Sequence, residues 1–180
     1  MNKTRKKQPV KLTAEMKRTI DALGDNWIIR TDNDGKAYGG FAWGEVGVWT
    51  EAKDWNGAPS CGGGLHGQGP GGFGYWHEGT RFCFCETGDE KVIVEDNKVK
   101  VKRARILWTG EAAYVAMAYA CRGKWAGSLT ILCDVSLPSL KEVGGYLSIY
   151  GTAKLDALTT VGGDLSISGT AKLDAPKLKR

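Results

Sequence analysis

From Ser128 onward the chain repeats itself every 18 residues, and this echo narrows the fold more than any other feature. The units read SLTILCDVSLPSLKEVGG from Ser128, YLSIYGTAKLDALTTVGG from Tyr146 and DLSISGTAKLDAPKLKR from Asp164. Leu129, Leu147 and Leu165 share one position, Ile131, Ile149 and Ile167 another, and Leu137, Leu155 and Leu173 a third. One such unit cannot bury its own apolar side chains, so neighbouring units must stack and share a core. The Leu-x-Ile pairs have the two-residue period of a strand, which predicts one short parallel strand per coil. The expectation is a parallel β-solenoid of three leucine-rich coils over residues 127–180. Pro176, Lys177, Lys179 and Arg180 would blunt its open edge, and that edge also admits edge-to-edge pairing into a homodimer.

The remainder predicts a strand-rich α+β body over residues 13–126, preceded by a basic tail over 1–12. Residues 1–20 hold seven Lys and Arg against Glu15 alone, so the other 160 residues sum to about −1 and the body is nearly neutral. Hydrophobic residues make up 42% and include seven Trp, enough for a packed core. No apolar run approaches the ~18 residues of a membrane span, and no signal-peptide pattern opens the chain. Five cysteines, an odd number, point to unpaired thiols and a cytoplasmic setting.

Thr13 is placed to cap a short helix carrying Met16, Ile20 and Leu23, with Gly24 as its stop. A second helix is expected from Glu111 through the Ala-rich run, ended by Gly123. Between them, NWIIRT, VGVWTEAKDW and RFCFCE read as strands, the last with Phe82 and Phe84 on one face and Cys83 and Cys85 on the other. KVIVEDNKVKVKRARILW reads as a hairpin turning at Asp96-Asn97, with Val99 and Val101 inward and Lys98, Lys100 and Lys102 outward.

The stretch SCGGGLHGQGPGGFGYW surrounds one imidazole with glycines. It is read as a tight path in which Leu65 enters the core and His66 is held rigidly, followed by a mobile GQGPGGFG loop. As a catalytic base His66 would need a carboxylate such as Glu78, Glu86 or Glu111, and no specific triad spacing is present. Cys61, His66, His77, Cys83 and Cys85 have zinc-ligand chemistry but lack paired C-x2-C knuckles, so the three cysteines read as small buried hydrophobes. No Gly-Lys-Ser/Thr or G-x-G-x-x-G unit offers a nucleotide cradle. These motifs assign no cofactor, metal or catalytic residue. Lys98, Lys100, Lys102, Arg103 and Arg105, beside Trp108 and with the basic tail, would form a nucleic-acid surface.

Two stretches carry a resemblance. GGFAWGEVGVWTEAKDWNGAPSCGGGLHG, with the KVK hairpin behind it, is similar to an uncharacterised phage and prophage protein family with a Trp-rich lead, a DWN motif and a CGGGLHG core. VGGYLSIYGTAKLDA looks like the leucine-rich coils attached to some such proteins. The resemblance covers about residues 37–180 and implies an accessory protein of a mobile element, made inside a bacterial cell. The expected function is contact with a host or bacterial protein complex, inhibiting a defence system in an anti-CRISPR-like way. Trp55, His66, Tyr75 and Trp76 would supply the partner contacts. The alternatives are a nucleotide- or NAD-binding, ADP-ribosyltransferase-like enzyme or sensor, with His66 at the ribose, and a nucleic-acid binder.

Overall fold

The computed structural model describes residues 9–37, 40–73, 79–94 and 98–179. Helix α1 (Ala14–Leu23) starts where the sequence places it: the Thr13 hydroxyl accepts the Met16 N–H at 3.1 Å, and Gly24 ends it at φ 56°. Its apolar stripe buries Met16 and Ile20. The body then runs through β1 (Trp27–Asp32), β2 (Trp49–Glu51), β3 (Leu65–Gly67), β4 (Arg81–Thr87), β5 (Lys91–Ile93), β6 (Val99–Val101), β7 (Arg103–Thr109) and α2 (Glu111–Ala120). The architecture is α+β, strand-rich with two helices among the described residues, and forms no closed barrel. No helix among those residues is long and apolar enough to cross a membrane.

The main sheet is antiparallel in the order β1-β4-β7-β2, and β1 and β4 are buried on both faces. Alternation along β4 divides its side chains as the sequence predicts: Phe82 and Phe84 enter one core, Cys83 and Cys85 the other. The first core lies against both helices. Phe82 stacks on Tyr114 of α2 with centroids 3.8 Å apart, and Trp27 stacks on Phe84 at 5.4 Å. The second core is closed by the small antiparallel sheet β3-β6-β5. The KVIV…KVKV segment therefore makes the expected hairpin as β5 and β6, while β7 leaves it for the main sheet. The proposed turn at Asp96-Asn97 lies outside the described residues.

After α2 come β8 (Lys124–Trp125), β9 (Leu129–Ile131), β10 (Val135–Ser136), β11 (Glu142–Val143), β12 (Leu147–Ile149), β13 (Thr152–Lys154), β14 (Thr160–Val161), β15 (Leu165–Ile167) and β16 (Lys172–Asp174). They pair in parallel as β8-β11-β14, β9-β12-β15 and β10-β13-β16. In the second of these sheets Leu129, Leu147 and Leu165 are direct partners, at the 18-residue spacing of the sequence. The glycines of the Val-Gly-Gly corners are fixed by this stacking: a Cβ on Gly162 would lie 2.1 Å from the Gly144 carbonyl oxygen, and one on Gly144 2.3 Å from that of Ala126.

One register departs from the sequence alignment. Val135 pairs with Ala153, but Ala153 pairs with Leu173, so the last step of that sheet spans 20 residues. Leu173 thus stands beside Ala153 and not beside Leu155. The two extra residues are taken up at Gly169, which sits at φ 59°, and by the Ala171 N–H bonding back to the Ser168 carbonyl at 3.0 Å.

The first core runs without a break from the helices into these strands. The Tyr114 hydroxyl donates to the Thr130 carbonyl and accepts the Leu132 N–H at 2.9 Å, fastening α2 to the β9 segment. Trp125 is fully buried, edge-on to Phe73 at 4.9 Å. The last row is different: Ile149 is 0% exposed and its partner Ile167 is 45% exposed, because no further strand lies over β15. Ile149→Ala should cost about 2–5 kcal/mol in urea unfolding, as buried truncations do. The same change at Ile167 should cost about 1 kcal/mol or less.

Candidate functional site

The loop between β2 and β3 is organised by a buried ammonium. Lys100, on the central strand β6, has no exposed surface. The sequence places Lys98 and Lys100 outward, and the structure corrects this: both are buried, Lys100 because the loop 54–64 folds over it. Lys100 Nζ donates to Asn56 Oδ1, the Ser60 carbonyl and the Gly62 carbonyl at 2.9, 3.0 and 3.1 Å. Three acceptors match the three N–H bonds of an ammonium. The Trp55 ring adds a cation–π contact 5.6 Å from Nζ.

This arrangement explains the glycines. The loop passes so close to the lysine stem that a Cβ on Gly64 would meet Lys100 Cγ at 2.6 Å, and one on Gly63 would meet Asn56 Nδ2 at 2.3 Å. Trp55 is accordingly a half-buried cover for Lys100. Leu65 enters the second core as expected, and His66 stands on β3 opposite Lys100. The following segment is packed, contrary to the mobile-loop expectation. Gln68 bridges to Ile29, Gly69 and Gly72 exchange hydrogen bonds at 2.9 and 3.0 Å, and Phe73 rests on Trp125. Tyr75, Trp76, His77 and Glu78 lie outside the described residues.

Between the glycine loop and β1 lies a cavity of about 570 Å³. His66, Gly62 to Gly64, Lys98, Arg30, Phe41 and Trp43 line it. Arg30 is only 6% exposed, and its guanidinium lies 4.0 Å over the Trp43 ring. Its Nε and Nη2 both donate to the Thr31 carbonyl, at 3.3 and 3.0 Å. Asp32, two residues along the same face of β1, is held elsewhere: its carboxylate receives Arg81 Nε and Nη2 at 2.8 and 2.9 Å. Burial pushes the Asp32 carboxyl up, but the Arg81 fork and the Gly35 N–H outweigh it and hold the group below its ordinary value. The Cys83 thiol donates to the same carboxylate at 3.4 Å. Burial, with Asp32 beside it, pushes that thiol up to about 12, far from a reactive thiolate.

The other candidates separate. Lys102 pairs with Glu90 at 2.9 Å, Arg105 with Glu86 at 2.6 Å, and Arg103 and Arg105 flank the Trp49 ring at 4.7 and 5.0 Å. The five basic residues therefore do not present one outward row. Glu111 accepts the Val10 N–H at 2.8 Å, so Glu86 and Glu111 are both engaged away from His66. Among the described residues no three His, Cys, Asp or Glu side chains converge on a metal-sized centre. Cys83 and Cys85 belong to the second core, and Cys61 is exposed where the glycine loop borders the cavity.

Arg30, Asp32, Phe41 and Trp43 had no place in the sequence reading of the site. One signal for the first two was present, an Arg and an Asp two residues apart in the otherwise apolar strand NWIIRTD. Compared with protein-family models, curated proteins and solved structures, the chain matches none.

Two outcomes follow from this geometry. Lys100→Met keeps the stem but strands three acceptors, and should cost about 2–4 kcal/mol and open residues 56–62 to limited proteolysis. Lys102→Met, at a partly exposed ion pair, should stay within about 0.5 kcal/mol. Because the folded pKa of Asp32 is depressed, its contribution is full above the unfolded value of about 3.9 and fades as pH falls through the folded value. Chemical unfolding at a series of pH values should show that acid slope, and Asp32→Asn should flatten it while costing about 2 kcal/mol at pH 7.

Proposed function

We propose that this is a binding protein that acts by contact with another protein, a phage-encoded accessory factor that inhibits a bacterial defence complex. The observation that carries the reading is a short apolar run left in water. Phe41, Val46, Val48 and Trp49 are all exposed within nine residues, Val46 and Val48 by 56% and 52%. Large apolar side chains clustered on a surface mark contact sites. Trp49 begins β2, which ends the main sheet's strand order and so offers an edge for pairing. The flanking Arg103 and Arg105 fit the Trp-and-Arg composition of interface hot spots.

The phage origin and the bacterial cytoplasm as the place of action rest on the resemblance of the DWN and CGGGLHG stretches. The parallel strands after Lys124 support reading the carboxyl-terminal third as a short leucine-rich β-solenoid that lengthens the body, with its last row open to a second copy. A nucleic-acid role draws less support, since Lys98 and Lys100 are buried and Lys102 and Arg105 are paired.

Tagged protein incubated with a lysate of bacterial cells should retain a stoichiometric partner, identified by mass spectrometry. Val46→Asp with Val48→Asp, at exposed positions where folding is indifferent, should lose it with the melting temperature unchanged. Equal retention by the variant, or no partner at all, would refute the contact surface.

A further inference from the structure

We propose that the cavity beside β1 binds a small organic anion carrying a planar ring, with its oxyanion on Arg30 and its ring against Phe41. The inference goes beyond the protein-contact reading and does not depend on it. Its starting point is a buried guanidinium that no carboxylate meets directly among the described residues. Arg30 is buried to 94% of its surface, complementary to its 6% exposure. A guanidinium carries five N–H bonds, and two of them are directed at the Thr31 carbonyl. The edge formed by Nη1 and the second Nη2 hydrogen meets no acceptor among the described residues. The carboxylate best placed to serve it, Asp32, is taken in a two-point contact by Arg81.

A buried guanidinium edge with no acceptor fits the two oxygens of a carboxylate or phosphate. Lys98, also buried, lines the same space, and Asp54 borders it. One face of Arg30 is fixed by Trp43, which holds the fork in place before any ligand arrives. Gly62 to Gly64 also line the space and put no side chains into it, which leaves a slot open to the backbone. Phe41, exposed to 42%, borders that slot. At about 570 Å³ the cavity is of the size that takes a ring with one charged substituent.

The test is calorimetric titration of the full chain with four probes: adenosine 5′-monophosphate, indole-3-carboxylate, adenosine and inorganic phosphate. At least one ring-bearing anion should bind, at least about tenfold more tightly than adenosine or inorganic phosphate. Binding of the nucleotide alone assigns a phosphate, and of the indole acid alone a carboxylate. Arg30→Gln should weaken the bound probe about tenfold or more. Phe41→Ala, at an exposed position, should weaken the ring-bearing anion toward inorganic phosphate, and decides the matter if the Arg30 variant does not fold. Absence of binding by both ring-bearing anions, or binding unchanged by the substitutions, would overturn the site and leave the Val46 and Val48 surface untouched.

Discussion

A strand with apolar side chains on both faces must be covered twice, and β4 imposes that demand on the whole molecule. Phe82 and Phe84 call for one layer, Cys83 and Cys85 for another. The first layer comes from the two helices and continues into the parallel strands through Tyr114 and Trp125. The second comes from a three-stranded sheet too small to bury much by itself, and its centre is a lysine. Hydrophobic burial thus sets the plan on one side, while hydrogen bonding completes it on the other.

Among the described residues, the buried lysine meets no carboxylate. Its ammonium is solvated by two backbone carbonyls and an amide oxygen, all from one loop. That exchanges strong Coulomb attraction for geometric definition, since neutral acceptors stabilise the charge only when all are present together. The loop consequently has one path. That path brings Gly62, Gly63 and Gly64 to the border of the space beside β1. The cavity and the anchoring of the lysine are therefore one piece of construction.

Much of this was legible in the sequence, for identifiable reasons. The helices follow from Thr13 with its apolar spacing and from an alanine-rich run, both local signals. The parallel pairing of Leu129, Leu147 and Leu165 follows from an echo that needs no three-dimensional information. The division of β4 between two cores follows from strict alternation. Lys98 and Lys100 misled because alternation fixes which face a residue takes but not whether another segment covers it. The role of Trp55 was hidden for the same reason, since it depends on residue 100. The shift that brings Leu173 beside Ala153 arises at a glycine turn that two nearly identical units share in sequence but not in conformation. Arg30 and Trp43 meet only through tertiary packing, so no local pattern announced the cavity.

The glycine corners at Gly144 and Gly162 also govern how such a chain can change length. Each admits the next turn because nothing projects from it, and each arrives within the same segment that brings a leucine and an isoleucine to the row above. Insertion of a further segment of this kind would carry its own clearance and its own covering residues to the far end of the molecule. The cavity, formed on the other side of the main sheet, would be undisturbed. Length at that end and the shape of the cavity are therefore set by separate parts of the chain.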